Sequence, residues 1–229
     1  MQKFDTPTPV TAVLDVPAGR IHLIAADRTD TAVEVRPADT TKNRDVKAAQ
    51  QTEITYTDGV LHITAPQAKN QLLGAPGAVE VTVQLPAGSH IKATAASAEL
   101  RGVGRLGEVT FDSAHGSAKL DETTAARLTL QAGDLTVGRL NGPAHISTHK
   151  GDLHITEATR GTLTLRTDSG DIHIGATRGA SATLDAGTTY GRIHNALTNT
   201  GTGGTGSADG ADLTIHATTS HGDITARSL

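Results

Sequence analysis

"THKGDLHITEATRGTLTLRTDSGDIHI", residues 148–174, states nearly the same phrase twice. Gly-Asp-Leu-His-Ile at 151–155 returns as Gly-Asp-Ile-His-Ile at 170–174. Within each copy apolar and polar residues alternate, the period of a strand with one buried face. The glycine suits a sharp corner, because positive φ is cheap only without a Cβ. The aspartate after it favours turns and hydrogen-bonds nearby backbone. One such pair of strands cannot bury its apolar face alone, but stacked copies can.

The phrase extends in both directions. Glycines recur at 116, 133, 151, 170, 191 and 222, a spacing of about twenty residues broken once, as in a solenoid or other array. The break holds "TNTGTGGTGSADGAD" (198–212), which reads as a flexible loop. Before each glycine an apolar pair marks a first strand: Val109/Phe111, Leu128/Leu130, Ala144/Ile146, Leu163/Leu165, Ala182/Leu184 and Leu213/Ile215. After it, Leu135/Val137, Leu153/Ile155, Ile172/Ile174, Ile193 and Ile224 mark a second. The acid series Asp134, Asp152, Asp171, Asp223 is broken by Arg192, which is expected to relieve repulsion with Asp171 across roughly 4.8 Å. A parallel β-helix and an antiparallel meander both fit. The absence of Asn-Gly or Asp-Gly hairpins between the paired strands favours the helix. The expected fold is therefore all-β: a right-handed parallel β-helix of about 18–21-residue coils, preceded by a β-rich region.

That region spans residues 1–95 and is expected to continue into the solenoid at 96–229. Alternation marks strands at 10–16, 20–25, 32–37, 52–57, 60–65 and 79–85, separated by Pro, Gly and Asp. "TKNRDVKAAQQ" (41–51) is too polar for a buried helix and reads as a loop with a turn of helix. Pro17–Gly19 and Pro86–Gly88 share Pro-Ala-Gly and are expected to make equivalent turns.

Composition narrows the function. The 229 residues contain only 2% aromatics (Phe4, Tyr56, Phe111 and Tyr190) and 36% hydrophobics. Small aliphatic groups suit a thin, extended core. The net charge is −4 with no basic run, which argues against nucleic acid or an anionic membrane as partner. With no cysteine there is no disulfide framework or thiolate metal site. "MQKFDTPTPV" lacks the apolar core of a secretory signal, and no run approaches about 18 apolar residues, so a soluble, cytoplasmic protein is expected.

The repeated "SGDIHI" phrase after "VEVTVQLPAGSHIKATAAS", with "VLDVPAGRIHLIAADRTDTAVEVRP" before and "HGDITA" after, resembles the bacterial "putative adhesin" family of β-strand-repeat domains of unknown function. The resemblance covers almost the whole chain. It implies a right-handed β-solenoid preceded by further strands, and suggests adhesion. It carries over no catalytic residues.

Residues that could carry chemistry are few. His154, His173 and His194 fall at one outward position in three repeats. Stacked at about 4.8 Å, they are weak candidates for a shared Zn²⁺ or Ni²⁺, against the plainer expectation of polar outward positions whose crowding responds to pH. No metal or cofactor is assigned. The aspartate series lacks the nine-residue period of a calcium β-roll and reads as turns. Thr110, Thr129, Thr164, Thr183 and Thr214 are expected to share one outward register as a cross-strand ladder. "SAHGS" (113–117) and "TSHGD" (219–223) put Ser, His and Asp close in sequence, but triads are made by geometry. "GTGGTG" (201–206) lacks the lysine of a phosphate loop. The expected function is a non-catalytic binding or scaffolding module, adhesin-like, offering flat faces to a protein or glycan. A bactofilin-like structural polymer, self-associating through solenoid ends, is the alternative. A polysaccharide-active enzyme would need an acidic groove.

Overall fold

Alternation does decide the strands. The computed structural model describes residues 1–67, 76–198 and 212–229. In chain order it contains β1 (Gln2–Asp5), β2 (Thr11–Asp15), β3 (Ala18–Ala26), β4 (Asp30–Pro37), α1 (Asn43–Gln51), β5 (Glu53–Thr57), β6 (Val60–Thr64), β7 (Val79–Pro86) and β8 (His90–Ala132). There follow β9 (Leu135–Leu140), β10 (Ala144–Lys150), β11 (Leu153–Ala158), β12 (Gly161–Ser169), β13 (Ile172–Ala176), β14 (Ser181–Tyr190), β15 (Ile193–Ala196), β16 (Asp212–His221) and β17 (Ile224–Ser228). All seventeen belong to one continuous sheet. The long β8 passes residue 95 without a break and pairs with β2, β3, β9 and β10.

The repeats stack in parallel. On one row β8, β10 and β12 lie side by side, with Leu128, Ile146 and Leu165 in register. On the other, β8, β9, β11 and β13 align Ala118, Leu135, Leu153 and Ile172. The inward residues of both rows form one apolar core of small aliphatic side chains around Phe111, the one aromatic buried completely among the described residues. Each fully buried Leu or Ile contributes about 1.5–3 kcal/mol of transfer free energy.

Coil order departs from chain order at both ends. The strands β16 and β17, last in sequence, do not form the outermost coil. They lie between β12–β13 and β14–β15: Leu163 pairs with Ile215, which pairs with Leu184, and Ile172 pairs with Ile224, which pairs with Ile193. At the other end β2–β3 lie between β6–β7 and β8. That end continues into antiparallel strands: β4 on β7, β1 on β4 and β5 on β6. Phe4 of β1 meets Tyr56 of β5 at a centroid distance of 5.3 Å. At the opposite end β14 stacks on β16, and among the described residues β15 pairs on one side only. Tyr190 is 67% exposed there and Ile193 46%, whereas Ile224 is 0% exposed.

Several expectations are corrected. Residues 43–51 form an α-helix, because Asp45 is buried as the acceptor for the Ala78 amide (3.0 Å) and Ala48 joins the core. Pro17–Gly19 and Pro86–Gly88 are not equivalent. The first leads from β2 into β3, whereas Pro86 aligns with Ala26 at the far end of β3. The expected Thr ladder is split by register: Thr162, Thr214 and Thr183 stack, but Thr164 lies between His145 and His216, and Thr129 beside Ser147. The loop at 198–212 and "GTGGTG" fall almost wholly outside the described residues.

Candidate functional site

The Gly-Asp corner is a ladder of side-chain-to-backbone bonds. The amide of Asp152 donates to Asp134 Oδ1 (2.9 Å), that of Asp171 to Asp152 Oδ1 (2.8 Å), that of Asp223 to Asp171 Oδ1 (2.7 Å) and that of Arg192 to Asp223 Oδ1 (2.8 Å). Arg192 therefore ends the column beside Asp223, not beside Asp171 as its place in the sequence suggested. Three residues before the glycines, buried Thr167 and Thr219 donate to the carbonyls of Gly151 (3.0 Å) and Gly170 (3.1 Å), and Thr188 donates to that of Gly222 (3.0 Å). The corner's polar groups are thus occupied in holding coils together. The Thr-x-x-Gly spacing that marks these inward hydroxyls was readable in the sequence but not recognised.

The outward histidines divide. His154 and His173 are register partners, their ring centroids 6.0 Å apart and tilted by 58°. His194 pairs instead with Thr225, which also pairs with His173, so a threonine separates it from the other two. The inserted coil breaks the expected three-histidine ladder. Among the described residues no three of His, Cys, Asp or Glu come together as a metal would need. His154 and His173 line a groove of about 320 Å³ with Thr156, Thr225 and Arg227. Burial, then the charges of His173 and Arg227, hold the His154 pKa below the usual imidazole value. Arg227 reaches this groove only because β17 stacks on β13, which sequence order conceals.

A second, larger groove of about 650 Å³ follows the corner at which the second strand of each coil turns toward the next first strand. It crosses successive coils and is lined by Arg105, Glu122, Thr124, Asn141, Arg160 and Thr177, among others. Asn141 Nδ2 donates to Glu122 Oε1 (2.8 Å), and Arg160 Nε to the Asn141 carbonyl (3.2 Å). Beside it Glu157 accepts from Arg139 (2.8 Å) and Thr177 (2.9 Å), which hold its carboxyl below the ordinary glutamate range. No motif marked this groove in advance.

The Ser-His-Asp neighbours do not assemble. Ser113 Oγ donates to the His115 carbonyl (2.8 Å), and the His221 ring stacks on Tyr190 at 4.9 Å.

A family model described as Toastrack DUF4097 matches residues 10–227. The chain belongs to this family. No curated protein matches this Toastrack domain. Among solved structures it is similar to a "putative cell adhesion protein" from Clostridium sporogenes, with 12% identity over 100% of this chain and 98% of that one and a TM-score of 0.43. A "putative adhesin" from Bacteroides fragilis shows 11% identity over 98% and 95% of the two chains, with a TM-score of 0.46. Another, from Parabacteroides merdae, shows 13% identity over 100% and 95%, with a TM-score of 0.38. Among the described residues of the Toastrack domain, no helix is long and apolar enough to cross a membrane.

Proposed function

We propose that this Toastrack domain is a non-catalytic, adhesin-like binding module working at the cell envelope. We take its 18–21-residue coils to wind right-handed, in one body from the N-terminal strands onward. The observation that carries the reading is the 650 Å³ groove running across the coils. Stacked coils set its hydroxyl, amide and guanidinium groups at a repeat of about 4.8 Å. That spacing suits an extended protein or glycan strand lying along the stack. The floor is fixed by inter-coil hydrogen bonds, so little ordering is needed on binding. The test is affinity capture and glycan-array binding with the wild type, Thr124→Lys and Arg160→Ala. Both residues are exposed, so folding should be unchanged. Loss of a wild-type partner in both variants supports the module; retention by both removes this groove from the function.

Among the described residues β15 pairs on one side only and exposes Ile193, which favours a second reading, self-association into a structural polymer. Unpaired strand edges bearing apolar side chains recruit further strands. Light scattering of the wild type against Ile193→Asp separates the two readings. Concentration-dependent growth abolished by Ile193→Asp would favour the polymer, and a constant small mass the module.

A further inference from the structure

The groove between β11, β13 and β17 is lined by hydrogen-bond donors with no carboxylate among them. Its polar side chains are His154, Thr156, His173, Thr225 and Arg227, over a floor formed with Ile155, Ile174 and Gly175. Every one of them can donate a hydrogen bond, and none is a carboxylate. Arg227 is exposed, and its register partners are the small residues Gly175 on β13 and Ala196 on β15. At Gly175 a Cβ would lie 2.1 Å from the Thr156 carbonyl oxygen, so the small residue beside Arg227 is required by the close approach of β11.

The charges around the imidazoles are accounted for on every packed element. In the histidines' outward row stand Thr136 and Lys119 on one side and Thr225 and His194 on the other. Asp152, Asp171 and Asp223 lie two residues upstream at the corner, and Asp152 and Asp171 each accept the amide of the coil stacked on them. Asp121 on β8 is paired with Arg101 at 2.6 Å. Glu157, beyond the β-bulge of β11, is paired with Arg139 at 2.8 Å. The aspartates keep their charge but stand outside the groove's lining, whose one permanent charge is Arg227, beside two imidazoles.

We propose that this groove binds a tetrahedral oxyanion, a phosphate or sulfate group, with Arg227 as the fixed charge and His154 and His173 as donors recruited on protonation. The same Arg227 argues against a divalent metal on the histidine pair, since it would stand beside the ion unneutralised. The site is separate from the corner groove and stands or falls without it. Binding should strengthen as pH falls through the imidazole range. By linkage, the bound anion should raise the His154 pKa that burial and its cationic neighbours depress.

The experiment is a ¹⁵N-detected NMR titration of the histidine rings in the full chain with inorganic phosphate and with sulfate, at about pH 5.5 and about pH 7.5. Saturable shifts at His154 and His173 are expected, with His22 and His62 unmoved. Sulfate affinity should be about fivefold or more tighter at the lower pH. Sulfate keeps its charge across that interval, so its gain isolates protonation of the protein. Phosphate should gain less, because it loses charge as the histidines acquire it. Arg227→Gln should abolish saturation while leaving the melting temperature unchanged. Equal shifts at all five rings, including His194, would mean general ionic screening and overturn the site. So would saturation unaffected by Arg227→Gln. Micromolar Zn²⁺ binding at the same rings would also overturn it, in favour of a metal.

Discussion

Position within the stack, more than position in the sequence, sets what a residue contributes. Ile224 and Ile193 occupy the same register position on β17 and β15, yet one is sealed and the other half open. Ile224→Asp buries an unpaired carboxylate and should cost about 4 kcal/mol. Ile193→Asp should cost about 1 kcal/mol or less. Urea denaturation of the two variants checks this, and equal losses would contradict the inserted coil. Gly170 tests the corner in the same way. Its φ is +153°, and a Cβ would fall 2.0 Å from the Gly151 carbonyl oxygen. Gly170→Ala should therefore lose about 2 kcal/mol or more, although it adds only one methyl group. A melting temperature within a degree or two of wild type would show that the coils can separate locally.

At the scale of the strand and its corner, the aspartate column makes each coil a template for the next. Asp152→Ala removes the acceptor for the Asp171 amide and should cost about 1 kcal/mol. Asp152→Asn keeps an acceptor and should cost less. Acid should weaken the stack in two stages. His154 has its pKa held down in the folded chain, so the unfolded chain takes up the proton more readily. Stability should fall as pH drops from about 6.5 toward the folded value. Glu157 and Asp168 are held below their ordinary values, by Arg139 and Thr177 in one case and by His149 and Arg166 in the other. Their contribution is complete above the unfolded carboxylate range, about pH 4, and is lost as pH falls through the folded values. Urea midpoints at about pH 7.5, 5.5 and 3.5 should descend in that order, and His154→Gln should flatten the first step. Strands and corners were legible in the sequence because their causes are local: period-2 alternation for β2 to β7, and positive φ at the repeated glycines. The helix at 43–51 was not, since Asp45 is satisfied by a residue far along the chain.

Across the whole molecule, the order of coils was illegible for a physical reason. The rungs share an inward aliphatic residue at this position, so the pattern at Ile172 admits either Ile224 or Ile193 as its neighbour. Nothing local specifies which coil comes next. The histidine ladder fails for this reason, and the groove at Arg227 stayed hidden for it. Deleting residues 199–229 tests the arrangement directly. A stack in sequence order would lose only its outermost coil and keep β14–β15 protected. With β16–β17 inserted, the deletion also removes the surface on which β14–β15 rest. Hydrogen exchange at 181–196 should then rise well above its rate in the full chain, because the rung bearing Asn195 re-docks only weakly on β12–β13, while 118–158 stays protected. Retained protection at 181–196 would place those strands directly on β12–β13.

The inserted coils also impose a timetable. During synthesis β14–β15 leave the ribosome before β16–β17, the strands they rest on, just as β2–β3 emerge before either neighbouring coil. At about 5–20 residues per second the outer rung waits for seconds beside a vacant berth on β12–β13 that its own aliphatic pattern also fits. A nascent chain that docks the rung there too early must undock it before β17 can enter. Correct assembly therefore depends on the outer rung adhering weakly enough to be displaced, and the polar Asn195, standing in register with Ala226 of β17, makes it the weaker competitor.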